Sequence, residues 1–260
     1  MKTIVSVSLC LAFLFVNGFA AQAQSHVKAT KTPSSVVDLS KENTYPNPQH
    51  NASELVPGSK TKALLKTAKV SIENPKLIKL LNESDIRPSK WSIGYHATIA
   101  LGEWPLNYAS KETAVIWEFK KINDNAADAR GSQSGQKISY VQKTQAKVSG
   151  GLTAKVPHAN EVTQMIMNKA MRATDMPIAF TTIVGGGTKI DRPYSVQPKQ
   201  IGHLYAFVPA VSEKGTITFG EVFLILSGGQ AKLVVQNRIQ QGIGALMPVQ
   251  ERVFLRYSAQ

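Results

Sequence analysis

Apolar and polar positions alternate with a period of two along much of the chain, and two runs stand out. Residues 201–208 and 216–226 are dominated by β-branched and aromatic side chains, the composition of strands. Ser212, Glu213, Lys214 and Gly215 separate them. A three-residue loop Glu213-Lys214-Gly215 predicts a type I turn, with Gly215 supplying the left-handed conformation that closes a bulged hairpin. That register places Tyr205 opposite Phe223 and His203 opposite Ile225, with Leu204 opposite Leu224 and Ala206 opposite Val222. Both faces are apolar away from the tip, which marks strands covered on two sides.

The same periodicity predicts further strands at 92–101, 113–122, 137–148, 177–184, 231–236 and 249–257, and a brief one at 69–72. Gly102 interrupts the first of these and reads as a bulge or bend before Trp104. Residues 123–136, rich in Gly, Ser, Asn and Asp, read as a mobile loop, and 241–245 as a tight connection. Helical spacing appears in three places. Residues 61–68 form a short segment; Asn74-Pro75 is a cap followed by a first-turn proline, with Leu77, Ile78, Leu80 and Leu81 on one side. The best helix is capped by Asn160, carries Val162, Met165, Ile166, Ala170 and Ala173 as its apolar stripe, and stops before Pro177. The expected class is α+β: a mainly antiparallel sheet built on the central hairpin, with one Met-rich and one short helix packed against it.

The first residues do not fit this scheme. Met1-Lys2 followed by the apolar run 4–16 and Ala21-Gln22-Ala23 predicts a secretory signal peptide over 1–23, cleaved after Ala23. Residues 24–66, punctuated by Pro33, Pro46, Pro48 and Pro57, read as an extended, partly disordered arm that wraps the domain through Val36, Val37 and Leu39. Residues 67–260 form the single domain. Cys10, the one cysteine, lies in the apolar run and is not preceded by the small residue a lipoprotein signal needs, so a disulfide-free mature chain is expected.

Charge adds a function class. The formal net is +13, and loss of Met1–Ala23, which carries Lys2 and no acid, leaves +12. Basicity of this size in an exported protein points to an anionic cell-wall polymer or a membrane surface as partner, not to nucleic acid, with simple solubility as the bland alternative. The candidate anion contacts are Lys60, Lys62, Lys66 and Lys69, and Lys120, Lys121 and Lys137 beside the predicted loop.

Catalytic motifs fail one by one. Gly131-Ser132-Gln133-Ser134-Gly135 has Gln where a nucleophile elbow needs Ser, and the pairs Ser59/Lys62 and Ser134/Lys137 lack their companion motifs. Gly185-Gly186-Gly187-Thr188-Lys189 lacks phosphate-loop spacing and reads as a turn. The histidines 26, 50, 96, 158 and 203 show no ligand spacing, so no metal or other cofactor is expected. His203 and Glu221 make no dyad in either hairpin register. Trp104 with Glu103 and Glu118, near Trp91, Trp117, Tyr95 and Tyr108, is the alternative: a glycan platform, or a carboxylate pair for glycan hydrolysis at about 5 to 10 Å separation. Catalytic residues are otherwise unassigned and a non-enzymatic protein is expected.

Four stretches carry a resemblance: residues 41–48, 150–157, the segment Gly220-Glu221-Val222, and 241–245. With the signal peptide they resemble the YfkD-like family of secreted proteins from Gram-positive spore-forming bacteria. The resemblance implies a location outside the cell membrane beside a phosphate-rich wall. It brings no functional residues.

Overall fold

A computed structural model describes residues 32–48, 55–84 and 96–260. The expected signal peptide over 1–23, His26, His50, Trp91 and Tyr95 lie outside the described residues. In chain order the elements are β1 (Val36–Asp38), α1 (Ser59–Thr67), α2 (Pro75–Glu83), β2 (His96–Asp128), β3 (Gln136–Val141), β4 (Ala146–Ser149) and β5 (Gly151–Leu152). Then follow α3 (Ala159–Thr174), β6 (Thr181–Val184), β7 (Lys189–Val196), β8 (Ile201–Ser227), β9 (Gln230–Pro248) and β10 (Arg252–Ala259).

The fold is mainly β with three helices among the described residues, not the α+β class that the pattern suggested. Sheet dominates because the expected short strands fuse into very long ones. β2 runs 33 residues and β8 runs 27, against the ten or fewer of ordinary strands. At strand rise β2 is on the order of 100 Å of backbone.

The central hairpin does not form. β8 passes straight through 212–215 and pairs antiparallel along its length with β2. Its other edge is taken by β10 over 202–207 and by β9 over 210–227. Tyr205 therefore faces Arg256 and Asp124, and Phe223 faces Ala100 and Val234. Gly215 is required by close approach, not by a turn: a Cβ there would lie 2.3 Å from the Ala109 carbonyl oxygen and 2.5 Å from the Tyr108 ring. The polar pair beside it splits by the two-residue period. Glu213 points inward, 1% exposed, and Lys214 points out to an ion pair with Glu112 at 3.0 Å.

Other joints are missing for the same reason. The strand at 113–122 continues from the first instead of returning beside it, with register shifts between Ala100 and Gly102 and at four later points. Gly102, at φ 97, marks the first, as its position predicted. β2 also extends through much of the expected loop, to Asp128. The connection at 241–245 is internal to β9. Conversely, 137–148 divides into β3 and β4, which join separate two-stranded ribbons with β7 and β6, and 69–72 forms no strand.

Three apolar clusters follow one another along β8. Leu204, Ala206 and Val208 pack with Leu39, Tyr140, Val253 and Leu255. Val211, Ile217 and Phe219 meet Val162, Met165, Ile166 and Ala170 of α3. Val222 and Leu224 close on Leu77 and Leu81 of α2 and on Leu233. The helix stripe on α3 is as predicted, but its cap is not. Asn160 lies inside the helix and His158, at φ 52, occupies the cap position without a side-chain bond. Asn74 does cap α2, accepting from the Lys76 and Leu77 amides, while its Nδ2 donates to the Pro105 carbonyl at 2.8 Å. The arm is held at residues 36–48. β1 pairs β10, Asn43 and Asn47 donate to the Ile183 carbonyl, and Thr44 donates to that of Gly186.

Candidate functional site

The seven candidate lysines fall into two groups at different stations of the long sheet. Lys60, Lys62 and Lys66 lie on α1 and Lys69 just after it, all exposed. Thr67 fixes this helix to β9 by accepting from the Leu233 amide at 2.8 Å. Lys120 and Lys121 pair in register with Val208 and Phe207, and Lys137 with Ser195 on the β3–β7 ribbon. Leu233 faces Leu224 on β8, so the two groups are sixteen β8 residues apart from Leu224 to Val208, on the order of 50 Å of strand.

The groups also differ electrostatically. Lys121 is already engaged, 3.7 Å from Asp124 and 4.5 Å above the Tyr205 ring. The α1 lysines have no carboxylate partner among the described residues. The nearest helix, α2, spends Glu83 on Lys79, and Glu73 is held by Lys169. No acid occupies the first turn of α1, so Lys60 stands at the positive end of the helix dipole. Lys62 and Lys66, four apart, repel across one turn. α1 thus carries Lys60 and Lys62 near its positive end, where the dipole opposes them, while Lys66 in the last turn is favoured by it.

The glycan group does not assemble. Glu103 pairs with Glu221 on β8, whereas Ile116, two residues before Glu118, pairs with Ala210. That separation is on the order of 35 Å along the strand, far beyond an acid/base pair. Glu118 binds Arg256 at 2.5 Å. Trp104 is committed inside the fold: its Nε1 donates to the Leu101 carbonyl at 2.8 Å, and its ring stacks on His158. Trp117 packs partly buried against the α3 core.

Several features had no sequence signal. His203 finds its partner in Asp124, Nδ1 to Oδ1 at 3.1 Å, and stacks on Tyr205, whose ring also carries Lys121 and Arg256. Glu221 is half-buried and accepts from Asn237 Nδ2 at 2.7 Å, so it needs no cation. Glu213 accepts from Thr113 Oγ1 at 2.6 Å and Tyr108 Oη at 3.3 Å. Burial first, then the charge and hydrogen bond of Glu213, push the Tyr108 phenol well up, which keeps it a donor. Each of these hydrogen-bonded pairs joins residues 16 to 105 positions apart on neighbouring strands, and periodicity cannot register strands that it cannot order.

A family model for YfkD-like proteins matches residues 33–260. The chain belongs to the YfkD-like family. This family member is 50% identical over 246 residues to a protein of Bacillus subtilis (strain 168) described as "Uncharacterized protein YfkD", covering 95% of this chain and 93% of that one. The resemblance read from the four short stretches is therefore correct. Among solved structures, the lamprey immune protein is similar at a TM-score of 0.25 and 7% identity, over 63% of this chain and 53% of that one. An aerolysin-like protein of Bombina maxima is similar at 0.13 and 10% identity, over 64% and 97%. Likenesses this distant bear on neither fold nor function.

Proposed function

We propose that this YfkD-like protein is an exported, non-enzymatic binding domain that is held at the cell envelope by contacts between lysines and a phosphate-bearing wall polymer or anionic lipid surface. The observation that carries this reading is the α1 surface: Lys60, Lys62 and Lys66 on a helix with no acid of its own, and Lys69 just after it, are exposed and without carboxylate partners among the described residues. Such a cluster is costly in the free protein and is relieved when polyanion phosphates replace water around the ammonium groups. Lys120, Lys121 and Lys137 extend the positive surface far from α1 and would let a long polymer touch both ends. The signal-peptide pattern at 1–23 supplies the route to the envelope.

The test is co-sedimentation of the purified mature protein with isolated cell walls. Walls are compared before and after teichoic acid removal, and anionic vesicles serve as the lipid arm. Binding should fall steeply between about 0.1 M and 1 M salt, as the screening length shrinks from about 10 Å to about 3 Å. Replacing Lys60, Lys62, Lys66 and Lys69 by Gln should abolish most of it. Binding indifferent to salt and to the four substitutions would refute the proposal.

A further inference from the structure

A second site, unrelated to the lysines, is formed where the arm meets the β9–β10 turn. A cleft of about 600 Å³ opens there, within the range of small-molecule sites. Its apolar wall includes Met171 and Ile178, and its polar lining includes Asp38, Gln250, Glu251 and Arg252. Gln250 is 6% exposed and its Nε2 has no hydrogen-bond partner. A buried donor left unpaired keeps its desolvation penalty, which an acceptor on a ligand would recover.

Of the charges around this donor, Arg252 and Glu251 are uncommitted among the described residues, while Asp38 accepts only the Ser40 backbone amide, at 2.8 Å through Oδ1. Arg252 lies directly opposite Asp38 in the β1–β10 register, yet the two make no ion pair among the described residues. Glu251 makes no side-chain bond there either, and it sits at φ 54, a left-handed conformation that disfavours a residue with a Cβ and not glycine. On a chain of formal charge +13 this cleft holds two carboxylates and one guanidinium. The combination asks for a ligand with an acceptor or anion at one end and a cation at the other.

We propose that this cleft binds a small zwitterion, an amino acid or a short peptide, with Arg252 and the Gln250 amide receiving its carboxylate and Asp38 and Glu251 its ammonium. Met171 and Pro177 provide the surface for the apolar part. The backbone of the site is fixed independently of any ligand, because the Gln250 backbone N–H, distinct from its unpaired side-chain Nε2, donates to the Pro177 carbonyl at 2.7 Å and the Leu39 backbone N–H to that of Glu251 at 2.7 Å. Arg252 and Glu251 are therefore replaceable without loss of the fold.

The experiment is a titration of the full chain with L-alanyl-L-alanine, free L-alanine and N-acetyl-alanine methylamide, followed by amide NMR shifts and calorimetry. The dipeptide or the free amino acid should saturate with shifts at residues 38 and 250–252, the tighter one identifying the source of the zwitterion. The doubly blocked amide should not bind. R252Q and E251Q should each weaken binding about tenfold with unchanged melting temperature, as expected when one charged hydrogen bond is lost. Absence of saturable binding by either zwitterion would mean that the cleft holds only water and would overturn the proposal. So would equal binding by the blocked amide, or binding unaffected in both variants.

Discussion

Gly215 shows how one residue type can carry two opposite messages. After Glu213 and Lys214 it reads as a turn, but in the structure it lies between two neighbouring strands, paired with Ser110 and Ile243. Its missing side chain makes room for Tyr108 and the Ala109 carbonyl. Because backbone is one of the obstacles, Gly215→Ala should lower stability by about 1 to 3 kcal/mol, read as a lower urea midpoint with little change in slope. A second residue-scale prediction concerns Asp128. Hydrogen bonds from the Arg130 guanidinium and amide hold its carboxyl down to about 2 from an ordinary 3.8. Its contribution is therefore complete above about 4 and is lost as pH falls through about 2. Arg130→Gln should move the Asp128 titration, followed by carboxyl NMR, back toward the ordinary carboxylate range.

At the scale of elements, helices were more legible than strands. Asn74-Pro75 and the apolar side of α2 are local signals, and the cap forms where the sequence placed it. Asn74→Ala should destabilise the protein by about 1 to 2 kcal/mol, since two amides lose their acceptor and the Pro105 carbonyl loses its donor; thermal unfolding of the variant measures this. α3 illustrates the limit. Its stripe was readable because burial follows the helical period, but its start was not: the backbone enters through a left-handed His158 that ordinary cap chemistry does not describe. Most expected strands exist, but 69–72 forms none, β1 and β7 carry no recognised strand signal, and strand ends are the least legible. Gly, Ser and charged residues read as punctuation in the sequence, whereas bulges absorb such residues inside a continuous strand.

For the whole molecule, the candidate sites depend on where the long sheet carries each residue. The lysines are visible as charge, but only tertiary placement separates the α1 group, which lacks carboxylate partners among the described residues, from Lys121, which is already paired. The same placement holds Glu103 and Glu118 far apart and turns Trp104 inward. If wall association follows α1, removing its four lysines should matter far more than removing Lys120, Lys121 and Lys137, and co-sedimentation in graded salt measures the difference. The zwitterion cleft had no signal at all, because Asp38 and Arg252 lie at opposite ends of the described chain and meet only when β1 pairs β10. By itself the sequence determined the strand-rich pattern, the helix faces, the excess of positive charge and the family. Tertiary structure alone decided which strands fuse, which register they take and which charges remain unpaired. Periodicity is set by each residue's own burial, while pairing is set by competition among many similar strands for the same edges.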